Sequence, residues 1–208
     1  MYSIYFEKRS LSVCSNPEQS QKDPNAVLYS PGNFPEIANL PDLFDKTPHI
    51  DRLYIPSTQE EHTFKQLCTK LTHINAGGGV VINQKGQYLI IFRRGRWDLP
   101  KGTQEPNEDI RISALREVEE ECGIGSLEIK KHICDTYHTY HRDNKFMLKC
   151  TRWYMMEYSG ESIHTKPQRE EDIECAIWVD RGELGKYLSN TFPSILEVFK
   201  KSGIYSLS

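Results

Sequence analysis

The sequence predicts an α/β protein in two parts, a small α/β N-terminal domain over residues 1–75 and a larger α/β domain over residues 76–208. Three observations lead to it. Two apolar runs, Val80-Val81-Ile82 and Tyr88 to Phe92, flank a turn centred on Gly86, the pattern of a buried hairpin. Apolar residues recur at helical spacing over 59–73 and 107–122, so helices alternate with the strands. Between the parts lies Ala76-Gly77-Gly78-Gly79, which marks a boundary near residue 75.

Taken in order, Tyr2, Ile4 and Phe6 alternate with more polar neighbours, and Leu11 to Cys14 forms a second run after Lys8-Arg9-Ser10. An opening hairpin follows. Ser15 to Asn25, with Pro17 and Pro24, reads as a loop, Ala26 to Tyr29 and Leu53 to Ile55 as short strands, and Ile37 to Phe44 as a helical stretch interrupted by Pro41. Thr58 and Glu61 have capping-box spacing, and Phe64, Leu67, Cys68 and Leu71 form a stripe that the preceding strands should cover. Beyond the boundary come a helix at 107–122, a long hairpin turning near Arg142-Asp143-Asn144, a strand at Cys175 to Val179 and two closing helices.

Hydrophobic residues make up 38% of the 208, which is enough for a sizeable core and too many for a wholly disordered chain. The formal net charge of −3 leaves no global footprint of a protein built to grip a nucleic-acid backbone. No apolar run approaches the roughly 18 residues of a membrane span, so no membrane partner and a cytoplasmic address are expected. Six cysteines without a CxxC pair read as free thiols.

The chemistry concentrates in GTQEPNEDIRISALREVEEECGI, residues 102–124. Asn107 is a good N-cap, and Glu108 and Asp109 would put negative charge in the first helical turn, where exposed N–H groups favour it. At about 100° per residue, Ile110, Ala114, Leu115, Val118 and Cys122 share one face, and Glu117, Glu120 and Glu121 an adjacent one. Like charges at i, i+4 cost a few tenths of a kcal/mol, and a hard divalent cation with oxygen ligands would offset this.

The fixed spacing of Gly102, Glu108, Arg116-Glu117-Val118, Glu120-Glu121 and Gly123-Ile124 resembles the Nudix box without a departure. With seven polar or glycine positions each matched by chance about 7% of the time, coincidence is on the order of one in 10⁸ per window. Trp97-Asp98-Leu99-Pro100-Lys101 before the box and Trp178-Val179 after it extend the resemblance to residues 76–208. It implies a Nudix fold, a mixed sheet sandwiched between helices, and a Nudix hydrolase that uses Mg²⁺, with Mn²⁺ as an alternative. The reaction implied is attack of water at phosphorus in a nucleoside diphosphate linked to another moiety. Carried over residue by residue, Glu117, Glu120 and Glu121 become metal ligands with a backbone carbonyl near Gly102, and Arg116 orients them. Glu108 becomes a helix-start or outer metal group. Glu117, Glu120, Arg116 and an acidic base on the later loop, Glu170 or Glu171 with Glu171 favoured, are the expected catalytic set.

Arg93 and Lys101 are candidate phosphate grips and Trp97 a candidate stacking face, although Trp97 is better placed as a core residue. Arg94 and Arg96 complete a basic cluster that argues for a polyphosphate substrate. The expected ligand is a small nucleotide and not a nucleic-acid polymer, with a homodimer left open. Dinucleoside polyphosphates and modified nucleoside triphosphates come first, then diphosphoinositol polyphosphates and ADP-ribose. A sensor without turnover is the rival from another class, and it would be favoured by a damaged box. Strand alternation sets His132, Cys134 and His138 apart from His141, against a second metal site, while Tyr137, Tyr140, Trp153 and Tyr154 flank the same hairpin. Gly77-Gly78-Gly79 lacks GxxxxGK[ST] and reads as a close-packed strand, not a phosphate loop.

Overall fold

The computed structural model describes residues 1–16, 25–30, 32 and 36–205, so most of the expected loop at 15–25 lies outside the described residues. The chain divides into two compact units. One comprises Met1–His73 with Tyr137–Lys149, the other Ile74–Thr136 with the chain from Cys150 onward. The division falls between His73 and Ile74, ahead of the glycine run, and the tip of the late hairpin belongs to the first unit.

In the first unit β1 (Tyr2–Phe6) and β2 (Arg9–Cys14) form the expected hairpin, with Tyr2 opposite Val13 and Phe6 opposite Arg9. Strand β3 (Ala26–Leu28) runs parallel to β4 (Arg52–Pro56), β4 runs parallel to β2, and Ile4 of β1 is in parallel register with Tyr137. A 3₁₀ turn, Ile37–Asn39, leads into α1 (Leu40–Asp45). Pro41 does not interrupt this helix: it sits in the first turn, where a missing N–H costs nothing.

Helix α2 (Glu60–Cys68) is shorter than the stripe suggested, because Thr72 and His73 already belong to the next strand. The Thr58/Glu61 capping box does not form. The Ser57 hydroxyl one residue earlier accepts the Gln59 N–H at 3.0 Å and shares a 2.8 Å hydrogen bond with Thr63. The stripe itself is covered as expected. Phe64, Leu67, Cys68 and Leu71 pack with Ile4, Leu11, Val13 and Ile55, and the Phe64 ring lies 4.9 Å from Tyr2 and 4.6 Å from Tyr137.

The second unit is built on β5 (Thr72–Asn83), β6 (Gln87–Arg93), β7 (Arg96–Asp98), β8 (Lys101–Thr103), β9 (Leu127–Arg142), β10 (Lys145–Tyr158) and β11 (Ile173–Asp180). The strand order is β11-β6-β5-β10-β9, with β7 paired to β6 and β8 to β5. Helix α3 (Ile110–Cys122) precedes β9, and α4 (Leu184–Leu188) and α5 (Pro193–Lys201) close the chain. Val80, Tyr88, Ile90, Trp153 and Val179 face α4 and α5, whereas their neighbours Val81, Leu89, Ile91, Tyr154 and Ala176 join α3. Both faces of the sheet are therefore buried, which is why its strands read as continuous apolar runs and not as alternation.

The glycine run serves packing. A Cβ on Gly77 would lie 2.6 Å from the Ala114 backbone nitrogen, and one on Gly78 2.7 Å from the Trp153 ring. Glycine here lets α3 and β10 close on β5. The hairpin turn is held by Asn83 Oδ1, which accepts the Lys85 and Gln87 N–H groups, both at 3.0 Å.

Candidate active site

The helix carrying the box starts two residues later than its sequence suggests. Asp109, not Asn107, is the N-cap, with Oδ1 accepting the Arg111 N–H at 2.7 Å, and Asn107 turns the preceding loop at φ 64°. Glu108 is thereby kept out of the first turn. Its carboxylate faces Arg116, which lies two helical turns along.

Arg116 is the hub of the site. Nε and Nη2 donate to the two oxygens of Glu108 at 2.8 and 3.0 Å, Nη1 donates to Glu117 at 2.8 Å and Glu120 at 3.0 Å, and Nη2 also reaches the Thr103 carbonyl at 3.2 Å. One guanidinium thus holds three carboxylates together, as its five donors in a rigid fork allow. Arg116 holds the Glu108 carboxyl down at about 2, and the acids raise the Arg116 pKa further in return.

Gly102 occupies β8 opposite Gly77 of β5. A side chain there would overlap the Glu117 carboxylate, so glycine at 102 and glutamate at 117 share one volume. Glu120 is half exposed. Glu121 differs from both, since it is 1% exposed and each of its oxygens already has a donor. The Lys101 N–H donates to Oε2 at 2.9 Å and Arg93 Nη1 donates to Oε1 at 3.3 Å. Burial pushes its pKa up to about 7, against the pull of Lys101 and Arg93. Glu117 and Glu120 therefore share Arg116, while Glu121 on the same helix has partners of its own. Among the described residues no three His, Cys, Asp or Glu side chains converge in metal-ligating geometry.

The donor set nonetheless suits a hard divalent cation: every candidate ligand is an oxygen, and Glu117 is pressed against the Gly102 backbone, whose carbonyl is the expected extra ligand. Glu117 and Glu120 would have to exchange Arg116 for the ion.

The basic cluster is largely spoken for. Arg93 pairs with Glu121, Arg94 donates to Asp172 through Nε and Nη2 at 3.1 and 3.0 Å, Arg96 lies over the Phe192 ring at 5.1 Å, and Lys101 Nζ donates to Asp98 at 2.6 Å. All four of these cationic side chains thus have a partner within the protein, and the buried pairs are those of Arg93 and Lys101. Trp97 packs on Phe92 and Tyr187 with ring centres 4.9 and 4.8 Å apart, which is the environment of a core residue. Trp153 is also core, its indole N–H bonded to Thr136 at 2.8 Å. Tyr154 is buried, and Tyr137 and Tyr140 fall in the first unit.

The later loop is tied to the end of α3. The Lys166 N–H donates to the Cys122 carbonyl at 2.7 Å and the Gln168 N–H to the Glu121 carbonyl at 3.1 Å, and the 3₁₀ turn Arg169–Glu171 follows with Glu170 and Glu171 exposed. Asp98 joins the site without belonging to any pattern of candidate ligands in the sequence. It is 4% exposed, and an acid set between Arg96-Trp97 and Leu99-Pro100-Lys101 was the available signal. His132 pairs with Asp135, and His141 pairs with Asp45 and stacks on Phe146. No described helix is long and apolar enough to cross a membrane.

Comparison with known proteins bears on the same segment. A family model described as a NUDIX domain matches residues 72–199. An RNA pyrophosphohydrolase of Sphingopyxis alaskensis is 27% identical over 137 residues, covering 57% of this chain and 85% of that protein. A putative mutator protein MutT4 of Mycobacterium tuberculosis is 31% identical over 134 residues, covering 58% and 51%. Among solved structures, a binary complex of a C. elegans Ap4A hydrolase aligns with TM-score 0.49 at 20% identity, covering 62% of this chain and 95% of that one.

Proposed function

We propose, from the premise that the chain belongs to the Nudix hydrolase family, that it is a Mg²⁺-dependent pyrophosphohydrolase cleaving a nucleoside diphosphate linked to another moiety. Dinucleoside polyphosphates and modified nucleoside triphosphates are the first substrates to test. The observation that carries this reading is the Arg116 hub, which gathers Glu108, Glu117 and Glu120 beside a glycine whose missing side chain makes room for Glu117.

Glu117, Glu120 and Glu121, with the backbone carbonyl at Gly102, would hold the cation, and Mn²⁺ would serve in the same place. A bound divalent ion supplies neutralisation of the diphosphate and acidification of water. The chain's own residues do the rest. Arg116 holds Glu117 and Glu120 side by side, so that both carboxylates are gathered at one place before the ion takes over their bonds to it. Burial favours the neutral form of Glu121 even with Arg93 and Lys101 nearby, so the further positive charge of a bound ion would favour its ionised form. Glu171, exposed on the turn that follows the Gln168–Glu121 hydrogen bond, is the candidate general base, taking the proton of the attacking water. Arg93 and Lys101 would meet substrate phosphates only by exchanging Glu121 and Asp98 for them, and Trp97 would serve by shaping the wall behind them.

Relatives named RNA pyrophosphohydrolase favour a second reading, in which the diphosphate is the 5′ end of an RNA. A panel of diadenosine tetraphosphate, nucleoside triphosphates, ADP-ribose, diphosphoinositol polyphosphates and 5′-triphosphorylated RNA, assayed for phosphate and nucleotide release with Mg²⁺ or Mn²⁺, tests both. Release from none of them would leave the sensor reading.

A further inference from the structure

Lys101 presents an unusual problem to a cation site. Its backbone N–H is bonded to Glu121, the next residue is Gly102 against Glu117, and its side chain is only 13% exposed, so its ammonium is held inside the protein on the segment that borders the carboxylates proposed to bind a metal. Its positive charge acts on Glu121. An ammonium so close is a built-in competitor for a divalent ion, because both seek the same oxygens.

Asp98 removes that competitor. Its Oδ2 accepts Lys101 Nζ at 2.6 Å, while Oδ1 accepts the Leu99 N–H at 2.8 Å, so the carboxylate is fixed at both ends and is itself 4% exposed. The two residues are three apart, across Leu99-Pro100, at the junction of β7 and β8. Asp98 touches none of the three box glutamates in the hydrogen bonds of the site. Removing its charge alone would leave the ammonium in place without that partner, free to act more strongly on Glu121, which already feels its charge.

We infer that Asp98 is a positioning residue whose role is to tether the Lys101 ammonium away from the acidic cluster, keeping that cluster open to a divalent cation. The inference rests on the metal-site reading proposed above and concerns a residue outside the ligand set.

The test is direct binding of Mn²⁺ to the full chain without substrate, followed by electron paramagnetic resonance, for wild type, Asp98→Asn, Lys101→Met and the double variant. Asp98→Asn keeps the acceptor for Leu99 but not the charge. It should bind Mn²⁺ about tenfold more weakly, the size expected for one uncompensated charge near the site at an effective dielectric constant of about 20. The double variant should return to within about twofold of wild type, and Lys101→Met alone should bind at least as tightly as wild type. A double variant as weak as Asp98→Asn would show that the aspartate acts through the fold and overturn the tether. Weaker binding by Lys101→Met would do the same even if Asp98→Asn failed to fold. If wild type and Glu120→Gln bind Mn²⁺ equally poorly, the metal-site reading fails first and the tether falls with it.

Discussion

The Glu117 carboxylate lies in the space that a side chain at Gly102 would fill. A Cβ built on Gly102 overlaps both carboxylate oxygens, and the glycine's backbone is not in the left-handed region, so the requirement comes from the neighbour and not from the chain conformation. Two positions fifteen residues apart are thereby bound to each other's identity.

Gly102→Ala should therefore separate folding from function. The atoms in the way are the far end of a flexible side chain, so the variant should fold, with a melting temperature within a few degrees of wild type. Displacing Glu117 by about 1 Å should lower kcat by tenfold to a hundredfold. Unchanged turnover would mean that the carboxylate moves without consequence for the chemistry.

Glu120→Gln and Glu121→Gln should each lower turnover by about tenfold to a thousandfold at saturating Mg²⁺, since the amide keeps the shape but not the charge. The two should differ in stability. Glu120 is half exposed, and its replacement should leave the melting temperature unchanged. A glutamine at 121 must turn its NH₂ toward either the Lys101 N–H or Arg93, and it should be destabilised. Near wild-type rates in either variant would remove that residue from the ligand set.

The raised pKa of Glu121 makes a prediction with a definite sign. Between the ordinary value of 4.5 and about 7 the folded protein binds more protons than the unfolded chain, so stability falls as pH rises through this window. The loss is on the order of 3 kcal/mol once pH exceeds both values. Urea titrations of the metal-free protein at pH 5 and pH 8 should show this decline, and Glu121→Gln should flatten it. Added Mg²⁺ should stabilise more at pH 8 than at pH 5, because the ligand must be ionised. Stability rising over the same window in wild type would contradict the assignment.

The second unit should fold without the first only once its hairpin is shortened. Tyr137, Phe146 and Leu148 pack in the first unit's core with Ile4, Phe6 and Phe64. Residues 74–208 alone would expose them, and that fragment should associate in solution. The same fragment with 137–149 replaced by an Asn-Gly turn should remain monomeric, with a native near-UV dichroism spectrum and dispersed amide resonances. A molten spectrum from the trimmed fragment would show that the first unit is needed for this core.

Where local chemistry was strong, the sequence was legible. The Tyr2–Cys14 hairpin, the Asn83 turn, the α2 stripe and the buried face of α3 follow from periods of two and 3.6 that no competing signal obscures. Helix ends were less so. Asn107 and Asp109 are equally good caps in isolation, and the choice depended on which side chain met the right N–H in the folded turn; at α2 the N-cap falls on Gln59, with the Ser57 hydroxyl, not Thr58, taking its N–H. Helix α2 stops short of its apolar pattern because Thr72 and His73 are drawn into β5 by pairing, which no local window contains.

The sequence by itself determined the family, the acidic helix and the place of a glycine at 102, because those are matters of residue type at fixed spacing; why that place needs glycine is set by the Glu117 carboxylate packed against it. Only the tertiary structure decided what each charge does. It turned Glu121 inward, gave Arg116 three carboxylates, spent Lys101 on Asp98 and Arg93 on Glu121, and placed a hairpin tip from the middle of the chain in the first unit. Charges are long-ranged and promiscuous in sequence, and burial selects their partners, because an unpaired buried charge is too costly to leave; Lys101 finds Asp98 three residues away, while Arg93 finds Glu121 across the fold.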